Sequence, residues 1–531
     1  MRNYFKKITT LSCAFYCLLI GYSCSKDSEL LEEAPRQEVV VEAEEKKNDQ
    51  SKNDSSEKNV DREEEKSQEG EDGEEKEIEV PQENNYIIPH GSFFVSINGS
   101  ASNDGLSETT SWDIEYAFQN AKAGDHVFIK AGNYGNVTLK PANSGTSDNP
   151  IRFIGYKNEP GDINSNNGST FTYGNNLDSN NMPLLKGNRI NNVGQGSGIY
   201  NFHKHIEISN IQITHYAEGV FSSGEYTVLD NIIVTEIGDF NPAHTYPTST
   251  SNPSLNYHGI GIKVSGDFST IKNCFVLNAG AEGFRSTGCK YQTHLNNKVY
   301  SDSNVNPCDY YYLLALGAEN NDLNNIYVER VGDLEHLGHG LVLKFQAKSN
   351  TIRNSTVKNT WLELSYSGVT ENLFTNCLIT GGPNNQGALL VANGAHHNTF
   401  SQCRVTKCDG VCFADWDEDF SRGDVRNAGH HNTFNECTFD NNLAGVNFFW
   451  YSQSNTDNLT HDNTFNACIF RDMDQLFMID RENSNTLIKD CQITNINALK
   501  NSFLPTIHSN ISLNANFQGN TLSDCNFTIP Q

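Results

Sequence analysis

Residues 339 to 377 read HGLVLKFQAKSNTIRNSTVKNTWLELSYSGVTENLFTNC and contain one hexapeptide twice, as NTIRNS at 350–355 and NLFTNC at 372–377. Similar hexapeptides recur along the chain, and from residue 355 onward their final residues are 22 to 34 positions apart. The other copies end at Cys274, Cys403, Cys437, Cys468, Cys491 and Cys525. A repeat of this length is typical of a solenoid, in which each coil packs on its neighbours.

Each repeat contains short runs of alternating polarity, such as LVLK at 341–344, and no helical period. Such runs, bounded by Gly or Asn, predict short strands joined by turns. We therefore expect an all-β fold, a right-handed single-stranded parallel β-helix, with equivalent residues stacked about 4.8 Å apart. The Asn, apolar and Cys positions of the hexapeptide should each form a column.

The chain has 14 cysteines, a number that would suggest disulfides in an exported protein. Cys13, Cys17 and Cys24 lie near the N-terminus, whereas the seven cysteines that end hexapeptides share one repeat position. Stacked residues point into the coil interior, where Cys behaves as a small apolar side chain. We expect buried free thiols in this column. The sequence contains no CxxC pair that would favour a metal site there.

The N-terminal residues carry an export signal. Basic residues precede an apolar run at 11–20, and the segment ends in GYSC at 21–24. Residues 1–23 therefore read as a signal peptide rather than a membrane span. The ending resembles a bacterial lipobox, which implies lipidation of Cys24 with acyl chains such as palmitate. The SKDSE that follows resembles the surface-export tag of Bacteroidetes lipoproteins, which implies a lipid anchor in the outer membrane at the cell surface.

Residues 26–85 hold 23 acidic and nine basic residues, so this stretch supplies about half of the net charge of −27. Such a composition cannot bury a core, and we expect residues 24–85 to act as a disordered tether. The folded domain should be residues 86–531. It also remains acidic, which argues against nucleic acid as a partner. We expect a monomer that contacts the membrane only through its anchor.

An open end coil would expose a sheet edge, so a cap is required. Residues 110–124 supply a candidate helix with Ile114, Ala117, Phe118 and Ala121 on one face. Thr110 or Ser111 should cap its start, and Gly124 should end it.

The segment 123–134 reads AGDHVFIKAGNY. It resembles the cap and first coil of pectate-lyase-like β-helix proteins, and the resemblance covers most of residues 92–531. Members of that superfamily mostly cleave acidic polysaccharides by elimination or hydrolysis. The resemblance therefore implies a substrate class and leaves the reaction open.

A second pattern places Gly before a short strand, as in GIGIK at 259–263 and GLVLK at 340–344. Alternation should send Ile260 and Ile262 inward, and likewise Leu341 and Leu343. Lys263, Arg285 and Lys344 should then point outward on neighbouring coils. The strand WLELSY at 361–366 should add Glu363 and either Ser365 or Tyr366 to the same face.

Two of these strands share the longer pattern His-Gly-x-x-x-Lys, at His258 to Lys263 and at His339 to Lys344. Either copy alone is explained by a histidine that caps a turn and a solvated lysine. The alternative explanation is a functional site. It is favoured by further polar residues on adjacent coils, namely Glu335, His336, Glu363 and Tyr366.

Lys, Arg, His and Tyr on one face suit β-elimination at a uronic acid. The reaction removes the C5 proton, needs a cation to neutralise the carboxylate, and needs an acid for the leaving oxygen at C4. We assign Arg285 and Lys263 as carboxylate clamps. Lys344 or His339 is the candidate base, and Tyr366 or His258 the candidate acid. His336, Glu363, Trp361, Trp416 and Trp450 are candidate substrate-binding residues.

The segment 363–368, ELSYSG, resembles the active-site strand of the chondroitinase B and alginate lyase family, with Ser365 and Tyr366 where that family has Arg and His. An ulvan-type oligosaccharide dehydratase, which expels water from a terminal uronate, is a related expectation. The substrate would then be a uronate-containing, marine, sulfated poly- or oligosaccharide.

Residues 414–420 read ADWDEDF and place Asp415, Asp417 and Asp419 at alternate positions. They could bind Ca²⁺, supply the carboxylate pair of a hydrolase, or belong to a solvated loop. The elimination itself requires no cofactor. Three functions therefore stay open: a lyase or dehydratase, a glycoside hydrolase using an Asp/Glu pair, and a non-catalytic glycan-binding or adhesion solenoid.

Overall fold

The structure is a computed structural model that describes residues 88–89, 91–242, 259–305, 308–332, 338–382, 386–414, 428–448, 460–502 and 511–529. The signal peptide, Cys24 and the acidic tether lie outside these residues, so the lipid anchor and the domain boundary at 86 stay predictions.

Each coil contributes one strand to each of three parallel sheets. The order along the chain is clear in one coil, where His339–Lys344 is followed by Thr351–Arg353, Thr356–Lys358 and then Trp361–Ser365 of the next coil. Each strand pairs in parallel with its equivalent one coil later. The expected right-handed single-stranded parallel β-helix is confirmed.

We name the three sheets by their content. The site sheet contains Ser197–Asn201, Glu218–Ser222, Ile260–Val264, Glu282–Thr287, Tyr310–Ala315, His339–Lys344, Trp361–Ser365, Leu389–Ala392, Val411–Ala414, Ala444–Phe448 and the second part of Ile469–Ile479. The hexapeptide sheet contains Ser92–Val95, His126–Lys130, Ile151–Tyr156, the first parts of Ile206–Thr214 and Val228–Ile237, Thr270–Lys272, Thr293–Leu295, Asp322–Asn324, Thr351–Arg353, Leu373–Thr375, Thr399–Ser401, Thr433–Asn435, Thr464–Asn466, Thr486–Lys489 and Ala515–Gln518.

The third sheet contains Asn133–Gly135, Leu184–Lys186, the second parts of Ile206–Thr214 and Val228–Ile237, Phe275–Ala279, Lys298–Ser301, Tyr327–Arg330, Thr356–Lys358, Leu378–Thr380, Arg404–Thr406, Thr438–Asp440, the first part of Ile469–Ile479, Gln492–Asn501 and Thr521–Ser523. Two small pairs lie outside the three sheets: Arg189–Ile190 with Val193–Gly194, and Thr460–His461 with Asn483–Ser484.

The hexapeptide forms the expected columns. Asn350, Asn372, Asn398 and Asn432 are buried, and each donates from Nδ2 to Oδ1 of the asparagine one coil later, at 2.9 to 3.2 Å. The column extends back to Asn321 and on to Asn463. Next to it, the rings of Phe374, Phe400, Phe434 and Phe465 stack with centroids 4.5 to 4.8 Å apart. These spacings equal the distance between parallel strands, so stacking and strand pairing reinforce each other.

The cysteine column is confirmed for six of its seven predicted members, which are buried and free: Cys274, Cys377, Cys403, Cys437, Cys468 and Cys491. Cys525 is the exception. Strand pairing places Asn520 beside Cys491, whereas Cys525 is at the level of Ile496 of the preceding coil. The last hexapeptide is therefore not in register with the others. Cys525 is also free and half-buried.

A helix forms where the sequence predicts one, at Ile114–Asn120, after a short 3-10 turn at Glu108–Thr110. Its predicted apolar face is buried, and the Phe118 ring stacks on Phe153 with centroids 3.7 Å apart. The predicted boundaries are wrong. Asp113 caps the helix through its side chain, and the helix ends at Asn120 before Gly124. Its role as the cap of the solenoid stays a prediction.

Within the described residues, no helix has the length and apolar character needed to cross a membrane.

We predict that Asn398→Ala strongly destabilises the β-helix. Asn398 Nδ2 donates to Asn432, Val369 O and His396 O, and its Oδ1 accepts from the backbone and side chain of Asn372. Each buried group that loses its partner costs about 1–3 kcal/mol, so the free energy of unfolding should fall by about 3 kcal/mol or more. Denaturant unfolding measures it.

Asn376→Gly is the matched control. Asn376 also stacks on an asparagine, Asn354, but in an exposed turn with a φ of 53° that glycine accepts. Its substitution should change the free energy of unfolding by about 1 kcal/mol or less. Equal effects of the two substitutions would contradict the importance of the buried column.

Candidate functional site

The outward face of the site sheet carries two adjacent columns of side chains. Strand pairing defines the first, here called the Glu363 column, which contains Lys263, Arg285, Leu313, Val342 and Glu363 on five successive coils. The second, here called the His339 column, contains Ile260, Glu282, Tyr310, His339 and Trp361. The inward residues between them, Ile262, Leu341 and Leu343 among them, belong to the apolar core.

In four of these coils the two outward positions are three residues apart rather than two. Glu282 and Arg285, for example, are in contact. The extra residue between them is Gly283, where a Cβ would lie 2.4 Å from the Tyr311 carbonyl oxygen. The irregularity ends between His339 and Leu341, where the pairing with Trp361–Ser365 shifts by one residue. Ile260 consequently lies in the outward His339 column. The alternating pattern predicts that Ile260 points inward with Ile262, and for Ile260 this prediction is wrong.

The two His-Gly-x-x-x-Lys patterns are not equivalent in space. Pairing places Lys263 at the level of Val342, and Ile260 at the level of His339. The patterns are therefore offset by two residues, and Lys344 lies beside Ser365 further along the strand. Lys263 and Lys344 are also three coils apart, about 14 Å at the usual strand spacing. The predicted correspondence between the two lysines is wrong.

Glu363 is the centre of a buried charged cluster. Its Oε1 accepts a hydrogen bond from Ser365 Oγ at 2.7 Å and lies 3.2 Å from Lys344 Nζ. Its Oε2 is in hydrogen-bond contact with Nδ1 of His339 on the preceding coil. Glu363 and Ser365 are 0% exposed, and Lys344 and His339 are 1% and 3% exposed. The cluster thus joins three ionisable side chains away from bulk water.

Two aromatic rings enclose this cluster. Tyr310 stacks on His339 with centroids 5.2 Å apart, and Trp361 meets the other side of the imidazole edge-on at 5.0 Å. Lys344 Nζ donates to the Tyr310 hydroxyl at 3.1 Å and lies 4.8 Å from the centre of its ring. The imidazole orientation is therefore held by packing as well as by Glu363.

The charges of the cluster determine the state of Glu363. Burial alone would raise the pKa of this carboxyl, but the neighbouring Lys344 ammonium and His339, with hydrogen bonds from His339 and Ser365, hold its pKa well below the usual range. Glu363 is therefore ionised at neutral pH.

The predicted carboxylate clamps lie on the N-terminal side of this cluster. Arg285 is 6% exposed, and its Nη1 lies 3.5 Å from Glu282 Oε2. Lys263, one coil earlier, lies over the Phe221 ring at 5.1 Å from its centroid. Arg285 is at the level of the strand two coils before His339, about 10 Å along the axis.

Two predicted residues have surroundings that differ from the expectation. Tyr366 follows the end of its strand with a φ of 84°, and its ring stacks on Phe345 at 4.6 Å, so the geometry does not place it in the Glu363 cluster. Trp361, a candidate substrate-binding residue, is buried against His339.

Several predicted site residues lie outside the described part of the chain: His258, Glu335, His336, Asp415, Trp416, Asp417, Asp419 and Trp450. Their roles, including calcium binding by the three aspartates, stay predictions.

Sequence reasoning missed Tyr310 and Glu282. The pattern of a glycine followed by a strand begins at Gly283, one residue after Glu282, and the strand YYYLLA at 310–315 has Tyr311 at the glycine position. The sequence nevertheless contained a signal for Tyr310, because the repeat predicts a strand one coil before the strand of His339, and Tyr310 lies there.

No protein-family profile matches the chain. Uncharacterized protein YwoF of Bacillus subtilis (strain 168) is 41% identical over 66 residues, which are 12% of this chain and 14% of that protein. The match thus spans about a seventh of that relative's length.

Solved structures with a similar architecture include lyases and a hydrolase. A PL6 family polysaccharide lyase from Pseudopedobacter saltans has a TM-score of 0.45 at 13% identity, over 81% of this chain and 92% of that one. A PL6 alginate lyase in complex with a trisaccharide has 0.43 at 11%, over 84% and 90%. The catalytic domain of a GH87 α-1,3-glucanase in complex with nigerose has 0.39 at 11%, over 76% and 64%.

We predict that Glu363→Gln lowers the free energy of unfolding by about 3–5 kcal/mol at pH 7, because it leaves Lys344 and His339 buried without their carboxylate. Glu319→Gln is the control, since that carboxylate pairs with Lys290 and Lys348 at the surface. Its substitution should leave the free energy of unfolding nearly unchanged, because exposed ion pairs contribute little to stability. Denaturant unfolding of both variants measures the difference.

The effect should depend on pH with a definite sign. Because the folded-state pKa of Glu363 is depressed, its contribution is fully present above the unfolded carboxyl pKa of about 4.3 and is lost as the pH falls below it. The difference between wild type and Glu363→Gln should therefore shrink in acid. A difference that grows in acid would mean that Glu363 is not the ionised centre of the cluster.

Proposed function

We propose that this protein is a carbohydrate-active enzyme that cleaves uronate-containing polysaccharides or oligosaccharides by β-elimination. The observation that carries the proposal is the buried cluster in which Glu363 contacts both His339 and Lys344 while Lys344 contacts Tyr310. Such a cluster combines a base, an acid and a fixed positive charge within one short stretch of sheet. These are the groups that the elimination requires.

His339 is the better candidate for the base that removes the C5 proton. Contact of its Nδ1 with the ionised Glu363 favours the tautomer with the proton on Nδ1, which leaves the lone pair of the neutral ring on Nε2. The same carboxylate stabilises the imidazolium that forms when the proton is taken. Lys344 is the poorer candidate, because a lysine is ordinarily protonated at neutral pH, whereas a histidine ordinarily titrates at about 6.5, and the carboxylate 3.2 Å from Lys344 favours its charged form further.

Tyr310 is the candidate acid. Its hydroxyl can give a proton to the oxygen that leaves C4, and the Lys344 ammonium, which donates to that same hydroxyl, stabilises the negative charge left on Tyr310. In this step the C5–H electrons form the C4–C5 double bond, the C4–O bond breaks, and the leaving oxygen takes the tyrosine proton. Tyr310 is thereby proposed as the acid in place of Tyr366, whereas the candidate role of His258, which lies outside the described residues, stays a prediction.

Arg285 is proposed to neutralise the substrate carboxylate. It lies on the same outward face as Glu363 and two coils before the candidate base His339, about 10 Å from His339 along the axis, a span that one sugar unit and a guanidinium side chain can bridge. Arg is suited to this role because its planar group binds a carboxylate through two hydrogen bonds. Lys263 extends the positive surface by one coil.

A glycoside hydrolase is less well supported by the described carboxylates of this face. Glu282 and Glu363 lie three coils apart, about 14 Å, whereas the two carboxyl groups of glycosidases are about 5 to 9.5 Å apart. The proposal covers both a lyase and a dehydratase. It also includes a sulfated, ulvan-like substrate and attachment to the outer cell surface.

The test is an assay of a panel of uronate-containing polysaccharides and oligosaccharides for new ultraviolet absorbance from an unsaturated uronate. We expect activity on at least one acidic glycan. Arg285→Ala should lower turnover by roughly 10² to 10³, the loss seen when one preorganised charge-stabilising group is removed. His339→Ala and Tyr310→Phe should lower kcat on the scale of general acid–base catalysis, about 10²-fold or more.

Lys348→Ala is the matched control, because this lysine is on the same coil as Lys344 but pairs with Glu319 at the surface. It should retain wild-type turnover. Product mass separates the two eliminations, since a lyase shortens the chain and a dehydratase removes one water. A saturated product with new reducing ends would support a hydrolase, and full activity in folded His339→Ala would assign the cluster to stability alone.

A further inference from the structure

Five histidines form a second cluster in the turn between the site sheet and the hexapeptide sheet. His396, His430 and His461 occupy one position on three successive coils, and His397 and His431 occupy the next. Their rings stack along the axis, with centroids 5.0 Å apart for His396 and His430 and 4.7 Å for His430 and His461. The proposed elimination uses none of them.

The nitrogen atoms of this cluster converge. Nδ1 of His430 lies 2.9 Å from Nδ1 of His431, and one ligand atom from each of His430, His431 and His461 lies within 4.8 Å of the others. Two Nδ1 atoms this close can share one proton, so at least one of them presents a lone pair.

A carboxylate supports two of these three rings. Asp462 Oδ2 lies 2.7 Å from Nδ1 of His461 and 3.5 Å from Nε2 of His431. In metal sites, a carboxylate that accepts from one nitrogen of a histidine fixes its tautomer and orients the other nitrogen toward the ion. His431 is 41% exposed, so an ion can enter from solvent.

We propose that His430, His431 and His461 bind one divalent transition-metal ion of the zinc, nickel and copper class, with Asp462 as a positioning residue. Three imidazole nitrogens fill three of the four tetrahedral positions that zinc prefers, and water can take the fourth. Imidazole ligands favour these ions over Mg²⁺ and Ca²⁺, which prefer oxygen.

The ion would join two successive coils. The hexapeptides ending at Cys437 and Cys468, which follow His431 and His461, come 34 and 31 residues after their predecessors, compared with 22 and 26 for the two before them. A metal bridge here would therefore hold together coils that carry long insertions.

The test is isothermal titration calorimetry of the untagged full-length protein with Zn²⁺ in millimolar Mg²⁺, which occupies weak carboxylate sites. We expect one ion per chain. Asp462→Asn should weaken binding about 10- to 100-fold, as for other residues that orient a ligand, and His461→Ala by more than about 100-fold. His396→Ala, in the same stack but outside the triad, and the distant His203→Ala should leave the affinity unchanged.

The absence of zinc binding to wild type, or an equal loss in His396→Ala and His461→Ala, would overturn the proposal. Circular dichroism without metal shows whether each variant is folded. If His461→Ala does not fold, the visible spectrum of wild type with Co²⁺ decides, because three nitrogen ligands in a tetrahedral site give intense bands and free aqueous Co²⁺ does not. All of these measurements are independent of activity on glycans.

Discussion

The hydrogen bonds between successive coils set the spacing on which every other feature of this protein depends. Parallel pairing places each residue beside its equivalent about 4.8 Å away, so a side chain must be able to pack on a copy of itself. Asparagine does so because its amide donates and accepts at once, as Asn372 and Asn398 show at 2.9 Å. Phenylalanine does so by ring stacking. Charged residues stack poorly in an interior, which leaves the outward face and the turns for chemistry.

The fold could be predicted because stacking leaves a trace in the sequence. One hexapeptide, repeated with Asn, Phe and Cys at fixed positions, is enough to identify the columns. The prediction was wrong where the hexapeptide recurs in the sequence but its residues are not in register in the structure. The hexapeptide ending at Cys525 matches the others, yet pairing sets Asn520 beside Cys491. Loop lengths vary between coils, so letters alone do not determine which residues pair.

The candidate site shows the same limit more strongly. The sequence identified His339, Lys344 and Glu363, because outward charged residues on an alternating strand are conspicuous. It did not reveal that the two His-Gly-x-x-x-Lys patterns are offset by two residues, because strand pairing, which sets Lys263 level with Val342, determines this offset and the repeated letters do not record it. It also missed Tyr310, whose strand has Tyr311 in place of the glycine. A bulge of one residue exchanges the two faces of a strand, and no local pattern records it.

Burial of the Glu363 cluster is costly, and this cost bears on what the cluster is for. Apolar side chains of similar size are often as stable as a buried ion pair or more so, so stability alone does not explain three ionisable groups at this place. Ser365 and Tyr310 satisfy further hydrogen bonds of Glu363 and Lys344, which makes the arrangement preorganised. Preorganised charges in a low-dielectric site are what an elimination through a developing carbanion needs, because they stabilise the transition state without reorienting. The same groups on an exposed face would be screened by water, so the energetic cost of burial and the proposed catalysis have one physical origin.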